Sequence, residues 1–135
     1  MDLVLGSTDV YELTRANKIW NRACGENPGK GAGDRALHAV IQVHGVAMNG
    51  GVRHCFDVFA RERIDAAIGG YRYFGLTEVS NLFQKAASLA DDEAEEAEEK
   101  LNQEYYRYVP DDGELIRRFE SHFGMHSEEY EPLEG

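Results

Sequence analysis

The chain predicts an all-α fold, and three observations predict it. Apolar residues recur at intervals of three and four in segment after segment. No stretch of five residues alternates cleanly between apolar and polar, so strand is weakly supported throughout. The stretch from Leu37 to Phe59 reads as two amphipathic helices facing each other across Asn49-Gly50-Gly51. The expected architecture is a single compact domain of about six helices around this central helical hairpin, spanning residues 1–135. A chain of 135 residues can bury about two-thirds of its unfolded surface, enough for a core without staples.

In chain order, the first helix is expected from Val10 to Ala23. Asp9 and Glu12 have capping-box spacing, and Val10, Leu13, Ala16, Ile19, Trp20 and Ala23 form one stripe. Cys24 to Gly33 reads as a mobile, exposed connector. Its Gly29-Lys30 is no phosphate loop, because Gly31 stands where a magnesium-binding Ser or Thr is needed and a helix precedes it. Asp34 is the expected N-cap of the second helix, with Leu37, Val40, Ile41, His44, Ala47 and Met48 inward. His44 on that apolar face reads as a hydrogen-bonded core residue. His38 and His44 lie too far around the helix to share a metal easily.

At Asn49-Gly50-Gly51 a helix ends where glycine can adopt a left-handed conformation without a Cβ clash, and Asn49 can cap free backbone groups. Val52, Cys55, Phe56 and Phe59 carry the returning helix. Ile64, Ala67, Ile68 and Tyr71 mark the next, with a bend or break expected at Gly69-Gly70 and an end at Gly75. Thr77 is the expected cap of a helix whose Val79, Leu82, Phe83, Ala86 and Leu89 point inward.

Charge is placed unevenly. Residues 1–90 hold 10 Lys/Arg and 9 Asp/Glu, whereas residues 91–135 hold 4 and 16, so the acidic third supplies the net charge of -11. Asp91, Asp92, Glu93, Glu95, Glu96, Glu98 and Glu99 crowd the start of a helix whose inward stripe is Ala94, Ala97, Leu101 and Tyr105 or Tyr108. Lys100 is the nearest cation in sequence and can pair with Glu96. Such a surface repels nucleic acid and anionic lipid and attracts basic partners, or serves solubility alone. The tyrosines at 105, 106 and 108 are expected to cover the core edge with their hydroxyls in water. Pro110 ends the helix, and Asp112 is the expected cap of a last one with Leu115, Ile116, Phe119 and Phe123 inward. Residues from Ser127 onward read as a loose tail.

Several chemistries find no support. Cys24 and Cys55 make neither a disulfide framework nor a zinc motif, and a reducing cytosol is the default compartment. His122 and His126 have ligand spacing, but no further motif completes a site. The acidic run lacks the Gly and terminal Glu of a calcium loop and the contrasting environments of an acid–base pair. No metal, cofactor, membrane span or catalytic set is expected. Cys55 beside His54 is the one pair kept in view for a small hydrolase.

The Asn49-Gly50-Gly51 turn, Phe56, the helix residues Ile64, Ala67, Ile68 and Tyr71 leading to Gly75, and then Leu82, Phe83 and Ala86 together resemble the bacterial acidic DNA-mimic protein family over residues 35–90. Val52 stands where that family usually has Phe, and His54 and Cys55 replace a Gln and an aromatic. The resemblance implies a non-enzymatic protein that occupies a DNA- or RNA-binding partner and does not bind nucleic acid directly; the cysteine content places it in the cytoplasm. A toxin-neutralising immunity protein is the alternative it implies. In both cases the partner is a basic protein, the acidic run is the contact surface, and a homodimer is compatible with either.

Overall fold

The computed structural model describes residues 15–133, all helix and connections, with no strand among them. The first helix, α1, is helical over residues 15–23; its expected cap and start lie outside the described residues. There follow α2 (Ala32–Gly50), α3 (Val52–Val58), α4 (Arg61–Tyr73), α5 (Thr77–Ala87), α6 (Asp91–Tyr108), α7 (Asp112–Met125) and a 3-10 turn, Ser127–Glu129. The described residues thus hold seven α-helices where about six were expected. The returning helix of the hairpin is α3, seven residues long and separated from α4, as expected, here by extended backbone at Phe59 and Ala60. No described helix is long and apolar enough to cross a membrane.

One hydrophobic cluster draws on every helix. α2 and α4 pack at its centre, where Gly70 lets their backbones approach. A Cβ at Gly70 would stand 2.7 Å from a Val40 methyl and 2.8 Å from the Ala36 carbonyl oxygen. α4 is not broken at Gly69-Gly70 but continues as helix through both. Gly75 ends α4 as expected, at φ +81°, with its N–H on the Arg72 carbonyl and that of Leu76 on Tyr71. Thr77 is already inside α5, whose N-cap is Leu76. The buried Ser80 hydroxyl donates to the Ile68 carbonyl at 2.9 Å and fixes α5 against α4.

The connector before α2 is largely exposed, as expected, but hydrogen bonds tie it to the described part of the tail, which was expected to be loose. α2 begins at Ala32 after an N-cap at Gly31, so Asp34 is the third helical residue rather than the cap. Its fully buried carboxylate accepts from Gly31 N–H at 3.0 Å, Arg22 Nη2 at 2.7 Å and Glu131 N–H at 2.6 Å. Arg22 also donates to the Pro28 and Glu131 carbonyls, and Lys30 N–H to the Glu131 side chain. Tyr130 is buried against Phe119 and Phe123, while Trp20 meets Phe119 at 5.9 Å between ring centroids. Sequence-distant partners, 97 residues apart for Asp34 and Glu131, supply what local breaker signals cannot show.

Candidate interaction surface on the acidic helix

The charged end of α6 is stable because its first carboxylates face free backbone donors. Glu93 Oε1 accepts the Ala90 N–H at 2.9 Å, and Asp92 Oδ1 accepts the Glu93 N–H at 2.9 Å. The helix dipole favours anions in the same turn. Asp91, Asp92, Glu93, Glu95, Glu96 and Glu99 are exposed; Glu98 is half-buried. Fourfold spacing puts Asp91, Glu95 and Glu99 in one row and Asp92 and Glu96 in a second beside it, with about 6 Å of rise between neighbours in a row. The cation that meets the run is Arg53 of α3, 3.6 Å from Glu98; no ion pair joins Lys100 to Glu96.

The opposite face of α6 is anchored as the stripe predicts, with Leu101 and Tyr105 buried and Ala94, Ala97 and Tyr108 half-buried. Tyr105 departs from expectation, because its hydroxyl is in the core and not in water. It lies 2.6 Å from His44 Nδ1 and 2.8 Å from the Tyr71 hydroxyl. His44, on the other nitrogen, reaches Asp112 Oδ1 at 2.7 Å. A carboxylate only accepts, so His44 Nε2 donates to Asp112; in the neutral imidazole Nδ1 then accepts from Tyr105, whose oxygen is left to accept from Tyr71. Burial raises the pKa of both tyrosines, keeping them neutral donors. His44 is thus the hydrogen-bonded core histidine expected, and it ties α2, α4, α6 and α7 together. Asp112 is spent on it, so the N-cap of α7 is Asp111, whose side chain accepts from Glu114 N–H at 3.2 Å.

The turn and the acidic helix, separate features of the sequence, meet at Asn102. Gly50 is the last residue of α2, and Asn49 lies in its exposed final turn. Gly51 alone takes a positive φ, +95° with ψ 168°, a region that only glycine occupies without strain. The free N–H of Val52 is taken by Asn102 Oδ1 of α6 at 2.9 Å, not by Asn49. A Cβ at Gly51 would fall 2.9 Å from that same amide. Asn102 follows Leu101 at the edge of the inward stripe, a polar residue beside the core, and that was its one signal.

The other candidate groups are placed differently. Cys55 is fully buried, its thiol directed at the Val43 and Gly51 carbonyls, and burial pushes it up to about 12. His54 is exposed and faces Asp57 at 3.9 Å, so the two neighbours form no nucleophile–base pair. His122 donates to or accepts from the Tyr130 hydroxyl at 2.8 Å, and its ring lies 4.9 Å from that of His126. His126 stands with Glu128 and Glu129 on the surface, their ligand-capable atoms all within 4.8 Å of one another, its Nδ1 3.6 Å from Glu128 and 4.0 Å from Glu129.

No curated protein and no solved structure matches the chain. The DMP19-like protein family matches it over residues 32–134, well beyond the 35–90 that carried the resemblance and through the acidic helix and the tail. With α2 to the end of the described chain inside that match, the protein belongs to the DMP19-like family, a family of DNA-mimic proteins.

Proposed function

We propose that this protein binds, through the exposed face of α6, the basic surface of a protein that otherwise holds DNA or RNA, and does so as a nucleic-acid mimic. The observation that carries the reading is the run Asp91–Glu99. Seven carboxylates lie on nine helical residues, one per about 1.9 Å of axis. Duplex DNA carries one charge per about 1.7 Å. The two rows of solvated carboxylates give the run a charged face, and the membership of the family in the DNA mimics supports it. An immunity protein against a basic toxin would use the same face.

The test is to capture the partner with a tagged copy, identify it, and ask whether the protein displaces duplex DNA or RNA from it. Displacement that weakens with salt supports mimicry. A partner that holds this protein and nucleic acid together ends that reading, and a captured toxin with no nucleic-acid affinity favours the immunity reading. Replacing Glu95, Glu96, Glu98 and Glu99 with Gln lowers the association rate more than it alters the fold. Unchanged affinity would take α6 out of the interface.

A further inference from the structure

Beside the charged end of α6 lies a groove of about 240 Å³, walled by α3, the end of α5 and α6 itself. Its apolar lining includes Phe56, Ala87, Leu89 and Ala94, and two carboxylates, Asp57 and Asp91, belong to it as well. Phe56 is only partly buried, and its ring is backed by Phe83 at 6.2 Å between centroids. Arg53 also borders the groove but is paired with Glu98. Asp91 belongs both to this groove and to the acidic rows, so the two form one continuous surface.

We infer that the groove receives a single arginine side chain of the partner, its stem against Leu89 and Ala94 and its guanidinium against Phe56 and the Asp57 and Asp91 carboxylates. The inference rests on the proposed binding of a basic protein and says what chemistry that partner presents. An arginine stem buries along apolar surface while its head stays charged. The planar guanidinium stacks on an aromatic face and meets carboxylates in the plane, whereas a lysine ammonium is a compact, strongly hydrated point charge. Exposed carboxylates attract any basic surface. A recess that sets an aromatic wall and aliphatic side chains beside two carboxylates adds the discrimination that charge alone lacks. Steering by the rows then sets the association rate, and the groove sets the dissociation rate.

Two peptides of equal length and charge, one built on arginine and one on lysine, test this by titration into isotope-labelled protein. The arginine peptide should bind about tenfold more tightly, the difference one desolvated cation–π contact can supply, and should shift the Phe56 ring and the Ala87, Leu89 and Ala94 methyl signals. Ala87→Met fills the groove without changing charge and should bring the arginine peptide down to the affinity of the lysine peptide, which stays unchanged. Phe56→Leu, which keeps bulk but removes the ring, should do the same and guards against a packing defect in the first variant. Equal affinities with shifts confined to the α6 carboxylates would overturn the arginine groove while leaving the acidic surface in place. Binding by neither peptide at low salt would remove both.

Discussion

Tyr105 holds its hydroxyl 2.6 Å from His44 Nδ1, joining two residues 61 positions apart at the centre of the core. Tyr105→Phe keeps the ring and deletes the one group that both His44 and Tyr71 use. It leaves a buried acceptor and a buried donor without that partner, each costing about 1–3 kcal/mol. We expect Tyr105→Phe to lose at least the smaller figure in urea unfolding, and Tyr71→Phe, which removes only the terminal donor, to lose less. Equal stability of Tyr105→Phe and wild type would show that the chain of hydroxyls contributes nothing.

The turn separates two adjacent glycines. Gly51→Ala places a Cβ on a backbone at φ +95° and against the Asn102 amide, and should cost about 1–3 kcal/mol. Gly50→Ala sits in helical backbone, and the atoms nearest its Cβ belong to the side chain of His54, which is half exposed, so its cost should be smaller. Thermal melts that rank the two in the opposite order would move the reversal away from Gly51.

A second glycine pair makes the same point inside a helix. Gly70→Ala drives a methyl into Val40 and the α2 backbone and should destabilise by about 1–3 kcal/mol. Nothing lies within 4 Å of a Cβ at Gly69, so Gly69→Ala should gain up to about 1 kcal/mol from helix propensity. Denaturant midpoints of the two variants should fall on opposite sides of wild type.

His122 predicts an acid-sensitive contribution. Burial first, and then the nearby His126, hold its pKa below the ordinary histidine value. A lowered value means that the unfolded chain binds the proton first. The contribution to stability is therefore full above the unfolded pKa of about 6.5 and is lost as pH falls through that value toward the folded one. His122→Gln should lose less of its melting temperature than wild type between about pH 7.5 and about pH 5.5, the window in which histidine titrates. Identical losses would assign the acid sensitivity elsewhere.

Helix periodicity was enough to read the architecture, because each amphipathic stripe names its own inward face: Leu37, Val40 and Ala47 on α2, Leu115, Phe119 and Phe123 on α7. What could not be read were pairings between distant residues. Asp34 has the composition of an N-cap, but its buried carboxylate is claimed by Arg22 and Glu131. Asp112 looks like a cap until His44 takes it, and the cap passes to Asp111 one residue earlier. Spacing puts Tyr105 or Tyr108 on the inward stripe but gives no sign that the Tyr105 hydroxyl goes into the core to meet His44 and Tyr71. The acidic run was legible as charge, while Asn102, which fastens its helix to the hairpin, and the groove beside Asp91 depend on how α3, α5 and α6 converge.

The anchoring of α6 at Leu101, Asn102 and Tyr105 bears on the proposed recognition. The carboxylates project from a backbone that is already fixed before any partner arrives, so the helix gives up little conformational freedom on binding. The entropy of docking then falls on the carboxylate side chains and on the partner. A disordered acidic tail of equal charge would lose far more. It follows that a core substitution such as Tyr105→Phe, which touches no partner atom, should weaken binding in proportion to how far it loosens α6. Affinity then becomes a reporter of packing on the far side of the helix.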